Sequence, residues 1–243
     1  MAETAEHLQA RPPMRREARM HPLAVRIMHW TNAVAIIIMI MSGIKIYGDS
    51  PIFSFISFPD ALTLGGDGAT AFRFHHNFGQ SGALQWHFLG MWIVVVNGTA
   101  FLIYGLASGR WWRMLLPIRP REVVATLADA MRFKLSHDDL TVYNAVQKLL
   151  YVGIILVAIV EVTAGLAIWK PVQLSHLAAL FWSFQGARLV HFLGMFAIVA
   201  FLCVHVLLAL LVPRTLLAMI TGGPKVDIGR GAPPVVLAPQ PGE

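Results

Sequence analysis

Four predominantly apolar runs, at residues 24–47, 84–106, 146–169 and 189–211, leave this chain few folds to choose from. About 20 apolar residues are needed for a helix to cross the hydrocarbon layer of a bilayer, and each run reaches that length. Lipid offers no partner to backbone N–H and C=O groups, so only helices and closed barrels span it. A barrel would require many alternating strands of about ten residues, which long apolar runs do not supply. With 56% of its 243 residues hydrophobic and 13% charged, and a mean hydropathy of +0.63, the chain is too apolar for a soluble domain of its size. The expected fold class is all-α, an integral membrane bundle of four transmembrane helices.

Charge sets the expected orientation. A formal net charge of +6 is compatible with a nucleic-acid partner, but fifteen of the nineteen basic residues lie before or just inside the start of the first run, between the second run and the first residues of the third, or after the fourth. Lys45, Arg73, Lys170 and Arg188 remain for the opposite side. By the positive-inside rule both termini are expected in the cytoplasm, and no nucleic acid is needed to explain the charge. The first 20 residues are polar and the run after Arg26 is too long for the apolar region of a signal peptide, so the first span reads as a retained anchor. Three regions are expected: a disordered cytoplasmic arm at 1–20, a membrane domain at 21–215 and a flexible cytoplasmic tail at 216–243. Cys203 is the lone cysteine, which excludes disulfides, cysteine-ligated clusters and CxxCH haem attachment.

Histidines inside the spans carry the functional signal, because a polar ionisable group at membrane depth faces the bundle interior and marks a site. His191 and His205 lie fourteen residues apart on the fourth span. Fourteen steps of 100° make nearly four turns, so both imidazoles leave one face, separated by roughly 21 Å along the axis. The string HFLGM occurs at 87–91 and again at 191–195, each time at the outward start of a span. His87 and His191 therefore share one depth, each followed three residues later by a glycine, Gly90 or Gly194, that lets a neighbouring backbone or a flat ring approach. His29 lies about one turn inside the cytoplasmic boundary, at the depth His205 reaches from the other direction. Two bis-imidazole pairs result, His29 with His205 and His87 with His191. Imidazole on both faces of an iron porphyrin is a six-coordinate electron-transfer arrangement without an open position for substrate. Structural zinc fits less well, since its four ligands converge on one point. Arg26 on the inner side and Arg188 on the outer side are candidates for haem propionates, with snorkelling to the interface as the ordinary alternative.

Other polar positions carry weaker signals. Glu161 is partly immersed in the third span and needs a partner or protonation; it is a candidate for a proton path, and equally for a structural hydrogen bond. The outer loop at 48–83 is long enough to suggest a docking surface, and its adjacent His75 and His76 are expected to be structural or superficial. His21, His137 and His176 lie at interfaces or in solvent-facing segments. An interfacial amphipathic helix is expected over 123–133, and a short outer-surface helix within 171–187.

Four helices with histidines on the first, the second and twice on the fourth resemble the bacterial di-haem cytochrome b membrane subunits. That group includes the b-type cytochromes of Ni/Fe-hydrogenases, formate dehydrogenase gamma subunits, thiosulfate-reductase-type cytochrome b subunits and bacterial cytochrome b561. The resemblance covers about residues 20–215. It implies two haems b, with His29 and His205 on the iron of the cytoplasmic-side haem and His87 and His191 on the iron of the periplasmic-side one. Tyr143-Asn144-Ala145-Val146-Gln147-Lys148 is similar to the Tyr-Asn-Ala-Gly-Gln-Lys string of formate dehydrogenase gamma subunits, which implies an exchangeable quinone at Asn144 and His205, beside the inner haem. Val146 replaces the glycine of that string. The implied protein is a respiratory-chain subunit of the bacterial inner membrane. It would carry electrons between the quinone pool and a periplasmic redox subunit, a molybdopterin oxidoreductase ahead of a hydrogenase, within a complex that forms homodimers. The alternative is a stand-alone cytochrome b561-type superoxide:quinone oxidoreductase. Nothing in the chain supplies a catalytic constellation of its own for a partner's substrate.

Overall fold

The structure, a computed structural model, describes residues 17–65, 82–109, 118–131, 145–227 and 235–236. Four long helices overlie the four apolar runs: α1 (Leu23–Asp49), α2 (Ala83–Ala107), α4 (Ala145–Trp169) and α6 (Phe184–Leu211). All four are long and apolar enough to cross a membrane. Between them lie α3 (Pro120–Met131) and the short helix α5 (Ser175–Leu180), and α7 (Pro213–Thr221) follows α6 with Pro213 in its first turn. Strands β1 (Glu17–Arg19), β2 (Lys225–Asp227) and β3 (Val235–Val236) form a small antiparallel sheet in that order.

Local chemistry explains most of the helix boundaries. Pro22, which lacks a donor and fixes φ, precedes α1. The Gln85 side chain accepts from the Gly82 N–H at 2.7 Å and closes the first turn of α2. Helix α6 starts five residues before the apolar run at 189–211, because Ser183 caps it, accepting from the Gly186 N–H at 3.0 Å. Hydropathy hides this first turn, which contains Gln185 and Arg188. Gly222, at φ 101°, ends α7 with a left-handed cap.

The helices pack as two close pairs, α1 along α2 and α4 along α6, and among the described residues the backbones of the two pairs approach each other far less. Small residues make the close contacts possible: Ala35, Ser42, Ala83, Ala164, Ala167 and Ala187 are fully buried. Large apolar side chains such as Trp92, Leu156 and Leu210 project outward, as a lipid-facing surface requires.

The two pairs are joined at their ends. At one end Tyr47 stacks on Phe192 at 4.6 Å, while Phe53 and Phe58, from the stretch after α1, reach Phe192 and Phe196. At the other end Trp30 Nε1 donates to the Met219 carbonyl at 3.3 Å. There β1 pairs with β2, Ala18 opposite Val226, and the Met20 and His21 amides donate to Pro224 and Gly222. Glu17–Arg19 and Lys225–Asp227, which fall in the segments expected to be a disordered arm and a flexible tail, are paired with each other. The physical reason is backbone pairing between the two ends, which no apolar periodicity in either segment reveals.

Candidate functional site

Helix α6 contributes one histidine to each of two facing pairs. The His87 and His191 rings lie with centroids 6.2 Å apart and planes at 73°. His29 and His205 lie 6.0 Å apart at 61°. Metal–imidazole bonds of about 2.0 Å, with about 1.1 Å more from each nitrogen to its ring centre, would put two axial imidazoles about 6.2 Å apart. Both pairs match the spacing of two imidazoles that share one metal. The separation of the helix pairs leaves these rings facing one another across the space between them. Among the described residues no three His, Cys, Asp or Glu side chains converge on a common point, so the ligand sets come as twos.

Each ring of the His87–His191 pair is held from behind. The His87 Nδ1 lies 3.1 Å from Ser42 Oγ, whose own hydroxyl donates to the Ile38 carbonyl at 2.7 Å and is left to accept from the ring. His191 Nδ1 lies 3.0 Å from the Glu161 backbone carbonyl and 3.3 Å from its Oε1. A donor bond from Nδ1 fixes the tautomer and leaves Nε2 as the ligating nitrogen. Gly43 and Gly165 back the same two rings: a Cβ added at Gly43 would lie 3.4 Å from His87 Cε1, and one at Gly165 3.2 Å from His191 Cε1. At the inner pair, Trp30 meets His29 edge-on at 5.3 Å and Phe201 stacks on His205 at 5.6 Å.

The remaining sequence candidates are placed as follows. Arg26 lies one turn before His29, and its Nε is buried without a hydrogen-bond partner, the condition of a cation whose acceptor is a bound anionic group. Arg188 is engaged with protein: its guanidinium donates to Gln185 Oε1 at 2.9 Å and to the Ser50 carbonyl. Glu161 lies beside His191, with Oε2 buried and unpartnered against Gly194. Asn144, His75, His76 and His137 fall outside the described residues. His176 is on the exposed face of α5.

The two HFLGM glycines serve helix packing. Gly90 faces Met39 and the Ala35 carbonyl of α1, and Gly194 faces the Glu161 carboxyl of α4. The glycines against the rings, Gly43 and Gly165, were not singled out by sequence reasoning, nor was Ser42. A signal for them exists. Ile37 to Tyr47 reads IIMIMSGIKIY and Ile159 to Trp169 reads IVEVTAGLAIW, a second internal match that aligns Gly43 with Gly165.

A membrane protein built on four long helices, with two pairs of imidazoles set across them, has an architecture suited to a membrane cytochrome. The chain belongs to the prokaryotic cytochrome b561 family, whose model matches residues 20–222. It is 46% identical over 202 residues to an Azospira oryzae protein provisionally named protein-methionine-sulfoxide reductase subunit YedZ1, covering 83% of this chain and 96% of that one. Membership makes it a multi-pass b-type cytochrome of the bacterial inner membrane, with haem b as its cofactor.

Proposed function

We propose that this protein is a di-haem electron-transfer subunit that carries electrons from the quinone pool to a periplasmic reductase. The observation that carries the reading is the presence of two imidazole pairs, at 6.0 and 6.2 Å, at two levels of one helix. His29 and His205 would hold the cytoplasmic-side haem, and His87 and His191 the periplasmic-side one, both termini being cytoplasmic. Haem b bound there would supply a one-electron couple. The chain's own residues do the rest: Ser42 and the Glu161 carbonyl fix the outer rings, and Arg26 offers its unpaired Nε to the carboxylate edge of the inner group. Asn144 and His205 would bind the quinone near the inner pair. Similarity to a subunit named for protein-methionine-sulfoxide reductase supports a partner that reduces sulfoxides, and hence electron flow from quinol to that partner; a periplasmic molybdopterin oxidoreductase is the partner that the resemblance of the sequence implies. That partner supplies the substrate chemistry.

The test is haem stoichiometry with ligand variants. The purified protein should contain two haems per chain with a low-spin b-type spectrum. His87→Ala and His191→Ala should abolish the same redox component, and His29→Ala and His205→Ala the other. One haem per chain, or loss of different components within a pair, refutes the assignment. Rapid reduction of the isolated subunit by superoxide would instead favour the stand-alone superoxide:quinone oxidoreductase.

A further inference from the structure

The match that aligns Gly43 with Gly165 belongs to a two-helix unit that occurs twice. Residues 122 apart correspond on α1 and α4, and residues 104 apart on α2 and α6, so that His87 matches His191 and Gly90 matches Gly194. Ser42 and Ala164 correspond and are both fully buried, as are Ala83 and Ala187. Near the inner pair the first unit carries three polar residues, His29, Asn32 and Asn97, where the second has Tyr151, Ile154 and Phe201. Two of the three are accounted for. His29 faces His205, and Asn97 ties α2 to α1 through the Met28 carbonyl. Asn32 has no such role, and Ile154 shows that an apolar side chain serves the same place in the packing.

Asn32 Oδ1 is buried and has no hydrogen-bond partner. It lies three residues on from His29, about 4.5 Å farther along the helix axis and about 60° round it. An unpaired acceptor at membrane depth is unfavourable, so its retention points to a donor that arrives from outside the chain. Water fits poorly, because a buried water takes about two to four polar partners. Asn97 Nδ2 already donates to Met28, at 2.7 Å, and the other α1 residues one turn from Asn32, which are Met28, Ala35 and Ile36, are apolar. A haem carboxylate brings no donor. A hydroquinone does: it presents two hydroxyls on an apolar ring that enters from the hydrocarbon, whereas its oxidised form presents only carbonyl acceptors, which would meet Oδ1 lone pair to lone pair.

We propose that Asn32 accepts a hydrogen bond from a hydroxyl of hydroquinone bound beside His29 and His205, and so makes that site prefer quinol to quinone. The proposal rests on the quinone-linked reading above and names a specificity-determining residue within it. A site built to pair with a hydroxyl rejects the analogue that lacks one, because its own polar group is then left unpaired. Oxidation of the bound ligand thus removes the group that Asn32 holds, and the product is released in favour of the next quinol.

The experiment is anaerobic stopped-flow reduction of the purified holoprotein by duroquinol, with duroquinone as competitor, following the reduced α-band. Asn32→Ile gives α1 the residue that α4 carries at the corresponding place. The half-saturating duroquinol concentration should rise by about tenfold or more, while inhibition by duroquinone is unchanged or stronger and the haem content and α-band position stay as in the wild type. Asn32→Thr, whose hydroxyl can donate to its own helix as that of Thr163 does to the Ile159 carbonyl and still accept, should keep part of the preference. Unchanged half-saturation in Asn32→Ile, or equal weakening of duroquinol and duroquinone, would overturn the proposal. Loss of haem or a shifted α-band in both variants would also overturn it, by assigning the amide to the inner haem. A wild-type protein that duroquinol does not reduce would refute the quinone-linked reading itself, and the proposal with it.

Discussion

Gly165 and Gly43 occupy corresponding places behind the two outer imidazoles, yet the space in front of them differs, and alanine substitution should read out that difference. At Gly165 an added methyl lies 3.2 Å from His191 Cε1 and 3.6 Å from Nδ1, whereas carbon–carbon contact is most favourable beyond about 3.5 Å. The ring must yield a few tenths of an ångström, straining its 3.0 Å bond to the Glu161 carbonyl. Overpacking of this kind costs about 1–3 kcal/mol. Replacing a mid-helix glycine by alanine returns about 1 kcal/mol on scales measured in water. The net loss for Gly165→Ala is then up to about 2 kcal/mol, concentrated on one ligand and equivalent to at most roughly a 30-fold fall in haem affinity. At Gly43 the methyl lies 3.4 Å from His87 Cε1 and 3.7 Å from Nδ1, which is ordinary contact, so the helix term wins and stability should be unchanged or higher. The assay is thermal loss of the low-spin α-band from each purified variant, alongside far-ultraviolet circular dichroism to follow the helices. Gly165→Ala should lose one haem at a lower temperature with its helices intact, and Gly43→Ala should not. Equal sensitivity of the two variants, or greater sensitivity of Gly43→Ala, would refute the reasoning.

Two further perturbations test how the helices are held together. Asn97 Nδ2 donates to the Met28 carbonyl across α1 and α2 at 2.7 Å. Asn97→Leu should therefore cost about 0.6 kcal/mol, the mean for an interhelical hydrogen bond in a membrane, in reversible unfolding from mixed micelles; an unchanged midpoint would show the bond to be replaced. Trp30→Phe removes the donor to Met219, and it should speed limited proteolysis beyond residue 212 without changing the haem content, whereas identical digestion patterns would assign the junction to the terminal sheet alone.

The spans were legible because lipid imposes a single demand, apolar length, that a sequence displays directly. The histidine pairs were legible for a related reason: each imidazole is conspicuous against its apolar surroundings, and helical periodicity with the HFLGM string fixes its face and depth. What supports those imidazoles was harder to see. Gly43, Gly165 and Ser42 are ordinary residues for a membrane helix, and their role comes from which helix lies behind which, a pairing no hydropathy profile contains. Glu161 was conspicuous in sequence, but its relation to His191 depends on α4 packing along α6, close enough at Gly194 for the carboxyl to enter. The start of α6 was hidden because its capping turn is polar, and the pairing of β1 with β2 because it joins segments more than 200 residues apart through backbone bonds alone.

The separation of the two helix pairs also bears on biosynthesis. His29 and His87 leave the ribosome first, and each must wait for a counterpart on α6, the last long helix. His191 follows His87 by 104 residues, a delay of roughly 5–20 s at typical elongation rates. Throughout that interval the nascent chain holds two half-sites and no complete one. On the proposed ligation, haem capture by paired imidazoles waits for α6 to be made, and an abortive product ending before α6 would carry no bis-histidine iron.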